Sequence, residues 1–361
     1  DFAGDGGQKV MLGFGDVPDM GDLSAEQTFL AVPRGADRKP GDDGQYGVAL
    51  RVFVPAINNT EVGFYYMNYH SRVPVVSAQT GTVEGATAAG TIAAVTPDII
   101  TQVVVDGGNP TSAIGAYSPV IGQPAATAIA GSSALGYAQG GVPGAMAGGA
   151  QAGQAFATDA LAKSSRYIIE YPEDIKLYGM SFNTQLESIG ASLSGEYSYR
   201  NDVPLQMDDI ELLLAALSPL GGAALDNQIG VYGLNTYIPG YIEKDVSQVQ
   251  MTMAKTFGPT LGADQFVIVG EAGMTYVHNM PGKSELRLDG PGTYVTGNPR
   301  QSQPGGAHAG KPAEGYDVFA DQDSWGYRVV TKMDFNDAIG AVTLSPRIAW
   351  SHDVDGNSPG P

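Results

Sequence analysis

From Trp325 to Phe335 the odd positions are Trp325, Tyr327, Val329, Thr331, Met333 and Phe335, and the even positions between them are Gly326, Arg328, Val330, Lys332 and Asp334. A short Asn336-Asp337 link follows. The next segment sets Val342, Leu344, Ile348 and Trp350 against Ala341, Thr343, Ser345, Arg347 and Ser351. A period of two with one apolar face predicts a β-strand, and two such runs joined by an Asn-Asp pair predict a hairpin. The pattern recurs along the chain and predicts strands at about 46–55, 61–70, 166–186, 189–200, 245–257, 265–278, 324–335 and 339–352.

The links between these strands alternate in length. Short turns near 57–60, 187–188, 258–264 and 336–337 separate long loops at 71–165, 201–243 and 279–323. Phe257, Phe266 and Phe335 flank short turns, while Tyr199, Tyr276, Trp325, Tyr327 and Trp350 stand towards the long-loop side, as two interfacial aromatic girdles require. A soluble β-sandwich shows the same alternation. The length of the strands, the strict short and long links and the girdles favour an antiparallel transmembrane β-barrel of the outer-membrane type, with long extracellular loops holding short helices.

Composition adds limits. The 361 residues suit one large barrel domain, and a formal net charge of −19 argues against nucleic acid as a partner. The chain has no cysteine, and no run of eighteen consecutive apolar residues occurs, so no ordinary helical span is expected. It opens on Gly-rich sequence and closes in loop-like sequence, so the expectation is a barrel truncated at both ends, with further strands outside this numbering.

The loop from 71 to 165 has 37 Gly or Ala among its 95 residues and six charges: Arg72, Glu84, Asp98, Asp106, Asp159 and Lys163. That is too apolar for a solvated tail, so it folds against something. Small-residue helices are expected at 86–105, interrupted by Pro97, and at 145–162, with Pro110, Pro119, Pro124 and Pro143 breaking the stretch between. The loop is either a plug in the barrel mouth or a self-packed cap or partner surface. Met207 to Leu217 reads as a short helix with acids at its N-terminus.

The residues supply no catalytic signature, and neither a cofactor nor a metal site is expected. His70, His278, His308 and His352 are scattered, and an interfacial or packing role suits them better than metal binding. Asp353 to Asn357 lacks the later bidentate Glu of a calcium loop and reads as an acidic turn. The more useful constellation is Arg51, Glu196, Glu271, Arg328, Lys332 and Arg347, all on the expected lumen face and the candidate substrate path. Arg328 and Arg347 are expected near each other across the last hairpin. Pairing with Glu271 or Glu196 is the structural alternative to a substrate-steering eyelet.

Several stretches resemble the proteobacterial outer-membrane family known as domain of unknown function thirteen-oh-two. They include Asp1-Phe2-Ala3-Gly4, Leu12-Gly13-Phe14-Gly15-Asp16, Gly44-Gln45-Tyr46-Gly47, Met67-Asn68-Tyr69-His70-Ser71-Arg72 and Tyr167-Ile168-Ile169-Glu170-Tyr171-Pro172. Gly195-Glu196-Tyr197-Ser198-Tyr199-Arg200, Asp245-Val246-Ser247-Gln248, Leu261-Gly262-Ala263-Asp264-Gln265, Asp289-Gly290-Pro291-Gly292-Thr293-Tyr294 and Ser324-Trp325-Gly326-Tyr327-Arg328 extend the likeness over nearly the whole chain. The resemblance implies an outer-membrane barrel found beside a periplasmic lipid-carrier-like lipoprotein, hence passive movement of a hydrophobic, lipid- or sterol-like solute. A polar-solute porin and a surface-exposed adhesion or assembly scaffold are the alternatives. No catalytic residue carries over.

Overall fold

The structure, a computed structural model, describes residues 7–12, 29–221, 225–293, 295–304, 306, 310 and 312–360. Asp1 to Gly4, Gly13 to Asp16, Tyr294 and His308, quoted above, lie outside the described residues.

The large sheet contains β3 (Tyr46–Val54), β4 (Thr60–Tyr69), β7 (Ile175–Leu186), β8 (Ala191–Gln206), β10 (Tyr241–Phe257), β11 (Gln265–Val277) and β12 (Asp323–Ile339). They are antiparallel neighbours in that order, and β13 (Val342–Leu344) and β14 (Arg347–Asp355) both lie beyond β12. Short connections sit at one end of the sheet and the three long loops at the other, as the alternation of link lengths predicts. The alternating side chains fix each local ladder, because a slip of one residue would send every apolar side chain to the opposite face.

The sheet is antiparallel throughout and open among the described residues: β3 pairs with β4 and β14 with β12, and no ladder joins these two outer strands. Alternation dictates neighbours and facing, whereas closure needs such a ladder. Two expectations are corrected. The segment 166–186 is two strands. Pro172 and the positive φ of Asp174 (62°) separate β6 (Arg166–Glu170) from β7, and β6 joins a different sheet. The last turn falls at Gly340 (φ 62°), not at Asn336-Asp337; β12 runs through those residues with a register shift between Phe335 and Ile339.

The long loops are also less irregular and less β-like than an all-β reading implies. Residues 71–165 contain β5 (Val75–Gln79) and three helices: α1 (Val83–Val105), α2 (Thr111–Ile121) and α3 (Gln123–Ala162). α1 continues through Pro97 and α2 through Pro119, so these prolines do not end helices. The break comes at glycine instead: Gly140 and Gly141 leave helical φ/ψ and fold α3 into two antiparallel halves. A Cβ on Gly144 would lie 2.0 Å from the Gly136 carbonyl oxygen, so the two backbones touch where only glycine fits. α1 starts at Thr82, whose Oγ1 accepts from Gly85 N at 3.2 Å, while Ser164 Oγ accepts from Thr82 N at 3.0 Å.

The helices share one core with Val10 of β1 (Lys9–Met11), Val32 of β2 (Ala31–Pro33), Tyr167 and Ile169 of β6, and Leu213 and Leu217 at and beyond α4 (Asp209–Ala216). No described residue of the large sheet belongs to that core, so the helices pack on one another and on β1, β2, β6 and the α4 region. β5 is the centre of a small sheet, between β6 and β9 (Tyr237–Ile238). Gln206, the last residue of β8, ties the large sheet to it: its side chain accepts from Val76 N at 2.7 Å and donates to the carbonyls of Val76 (3.1 Å) and Gly240 (2.8 Å).

Candidate functional site

Strand register sorts the large sheet into two chemically distinct faces. One row across seven strands reads Leu50, Phe64, Met180, Tyr197, Val249, Met274 and Trp325. The next row on the same face reads Val52, Val62, Phe182, Gly195, Met251, Ala272 and Tyr327. Phe182 covers Gly195, where an added Cβ would come within 2.6 Å of its ring. These side chains are uncovered: Leu50 is 59 %, Met180 47 % and Met251 45 % exposed. An apolar surface spanning a whole sheet far exceeds what a soluble monomer leaves open.

Aromatics border this face. Tyr66, Tyr178, Tyr199 and Tyr276 share one register row near the long-loop end, with Ser247 between the last two. Phe257 and Phe266 stack at the other end, ring centroids 5.4 Å apart. His278 belongs to the first border: Ser247 Oγ lies 2.8 Å from its Nε2, and Tyr276 and Tyr199 meet it edge-on at 5.0 and 5.6 Å. His352 lies edge-on to Tyr327 at 5.6 Å. His70 is a loop clamp. Its Nδ1 accepts from Asp174 N at 3.2 Å, which leaves Nε2 to donate to the Asp43 carbonyl at 2.8 Å.

The opposite face holds all six candidate charges. Arg51, Gly63, Ser181, Glu196, Gln250, Gly273 and Gly326 form one row, and Ser194, Thr252, Glu271, Arg328 and Ser351 form the next. Glu271 and Arg328 are direct cross-strand partners, an opposite-charge pair on adjacent strands. Arg347 is not beside Arg328. It faces Lys332, while Arg328 faces Ser351 four residues further along, about 13 Å away. The misplacement follows from the turn: moving it from 336–337 to Gly340 changes every partner across the last hairpin. Lys332 is neutralised within its own strand by Asp334, Nζ to Oδ1 2.9 Å. The six charges are therefore a distributed lining of Glu271–Arg328, Lys332 with Arg347, and the separate Glu196 and Arg51, and they do not converge on one ligand.

A second polar centre lies outside the sheet. Arg287, 2 % exposed, bonds the Asp208 carboxylate through Nε at 3.3 Å and Glu211 Oε1 through Nη2. Thr296 Oγ1 and Gln228 N add donors to Glu211 at 3.3 and 2.6 Å, and the Phe319 ring lies under the guanidinium at 5.6 Å. Asp208 also caps α4, accepting from the amides of Ile210 and Glu211. This network clamps the loop after β8 to the loop after β11. Oxygens of Asp208, Asp209 and Asp289 lie within 4.8 Å of one another, an arrangement able to hold a hard cation. Burial, then the neighbouring Asp209 and Glu211, push Asp208 up to about 7, and burial and the other acids push Asp289 up as well. Sequence reading found the α4 acids as a helix cap but not this centre, because Arg287 and Asp289 come from a loop with no periodic signal.

No curated protein and no solved structure matches the chain. The family model described as "Protein of unknown function (DUF1302)" matches residues 1–361, the whole chain, so the chain is a member of that family.

Proposed function

We propose that the large sheet is part of the wall of an outer-membrane β-barrel, with the Leu50–Trp325 face towards lipid and the Arg51–Gly326 face towards a lumen, and that it passes a hydrophobic solute. The observation that carries this reading is the uncovered apolar face backed by a polar one, both continuous over seven strands. In water such a face costs free energy across its whole area; in hydrocarbon that cost vanishes. The choice of a hydrophobic solute rests on the cap. From Gly107 to Thr158 the chain carries no Asp, Glu, Lys, Arg or His for 52 residues. Val120, Leu135, Val142 and Met146 of this segment stand exposed. Such a surface at the long-loop mouth suits an apolar passenger and offers no charge to select a polar one. A periplasmic lipid carrier meeting the short-turn end is the partner this reading expects.

The test replaces residues 83–163 with a short Gly/Ser linker in cells producing the protein. The strands keep their own hydrogen bonds, so the sheet remains membrane-inserted while uptake of the uncharged fluorophore N-phenyl-1-naphthylamine changes. Unchanged uptake in a well-inserted deletion refutes the conduit and favours a surface scaffold. A protein that fractionates without lipid or detergent refutes the barrel.

A further inference from the structure

Between α1 and the second half of α3 runs a groove of about 510 Å³, walled by Ala93, Pro97, Ile100, Val104, Met146 and Ala150. Its size lies within the roughly 300–1,000 Å³ of small-molecule sites. From Ala93 to Val105 the helix advances about 18 Å, so the groove is long enough for an extended chain and not shaped for a compact ring system alone.

Two observations select the occupant. The first is charge: none of the lining side chains is ionisable, and the wall from α3 belongs to the 52-residue stretch without charge. An ionic head laid in this groove would find no counter-charge, so the occupant is uncharged. The second is a backbone acceptor. Pro97 has no N–H, so the Ala93 carbonyl one turn earlier lacks its helical donor, and both residues line the groove. Thr101 Oγ1, also in the lining, is turned back to the Pro97 carbonyl at 2.8 Å. The groove therefore presents an apolar trough with the Ala93 carbonyl as an acceptor left by the proline, and Gln154 at its α3 side.

We propose that this groove binds an uncharged long-chain alcohol-type amphiphile, its aliphatic body along Ile100, Val104 and Met146 and its hydroxyl donating to the Ala93 carbonyl. The assignment deepens the conduit reading by naming the passenger's chemistry and a holding site at the mouth. It rests on that reading only for its role in transport, since occupancy of the groove does not depend on where the sheet resides.

The chain has no cysteine, so single-cysteine variants of the full chain report cleanly. Ala150→Cys lies in the groove and Ala147→Cys is exposed elsewhere on the same helix. In lipid nanodiscs, 1-dodecanol at about ten times its Kd leaves roughly one site in ten free, so maleimide labelling of Ala150→Cys slows about tenfold. Labelling of Ala147→Cys stays within about twofold, and laurate and dodecylamine protect far less well. Pro97→Ala returns a donor to the Ala93 carbonyl and weakens protection by 1-dodecanol about fivefold while leaving protection by dodecane unchanged. Equal slowing at both cysteines means general bilayer partitioning and overturns the site. Equal protection by laurate overturns the uncharged class, and a Pro97→Ala variant with unaltered protection overturns the hydroxyl contact. Protection that persists in a protein whose cap deletion leaves uptake unchanged keeps the binding site and discards the conduit.

Discussion

Met251→Arg places a guanidinium in the middle of the apolar face. The register row of Ser247, containing the tyrosine border, and the row of Phe257 are ten residues apart on β10. At about 3.4 Å per residue that is about 34 Å along the strand, and about 26 Å along the membrane normal for a tilt near 40°. This matches the roughly 25 Å apolar band of outer-membrane barrels, and Met251 sits one residue from its midpoint. Arginine there costs about 2–4 kcal/mol, its value at the bilayer midplane. Gln250→Arg is the matched control: adjacent in sequence, it faces the other way, directly opposite Glu196 and flanked by Gly273. The cross-strand carboxylate receives the new cation, so this change costs under about 1 kcal/mol. The assay is urea unfolding in phospholipid vesicles followed by tryptophan fluorescence, using Trp325 and Trp350. Equal losses from the two substitutions, or a larger loss from Gln250→Arg, refute the assignment of faces.

Gly144→Leu drives a side chain into the Gly136 backbone and destabilises the helical cap by about 1–3 kcal/mol or more; limited proteolysis should open residues 83–163 while the large sheet stays protected. Arg287→Met strips the buried Asp208 and Glu211 of their cation at a cost of about 3–5 kcal/mol, seen as faster proteolysis of the loops after β8 and β11. Asp208 gives a pH signature. Its folded pKa, about 7, is raised above the ordinary 3.8, so the folded state holds the proton more tightly; its stabilising contribution is full below about 4 and is lost as pH rises through about 7. That interval corresponds to up to about 4 kcal/mol, so thermal unfolding of the loop unit should be later at pH 5 than at pH 8, and Asp208→Asn, which still caps α4, should flatten the difference.

Alternation made the strands legible because a period of two with opposed chemistry leaves one arrangement for each ladder. β3, β10 and β11 follow the pattern closely while β4 alternates more weakly, and the sorting of Arg51, Glu196, Glu271, Arg328, Lys332 and Arg347 to one face follows from parity alone. Parity says nothing of register along the strand. The Arg328–Arg347 expectation failed on a turn displaced to Gly340, where β12 persists through Asp337 despite its positive φ of 53°. The break of β6 from β7 has another origin. β6 carries three consecutive buried apolar residues and does not alternate, and pairing with β5 in the small sheet draws it out of line.

The helices were half legible for a different reason. Proline is expected to break these helices, yet Pro97 and Pro119 sit inside them, and glycine at 140–141 does the breaking. That exchange shapes the candidate site. A proline retained on the exposed side of α1 leaves the Ala93 carbonyl without its helical donor, and a glycine hinge turns α3 back so that its second half forms the opposite wall. Remove the hinge and the carbonyl faces water; remove the proline and the Ala93 carbonyl regains its helical donor, so the groove loses that acceptor. Residue type alone shows neither, because Pro97 and Gly141 act together only after α3 has folded back on α1.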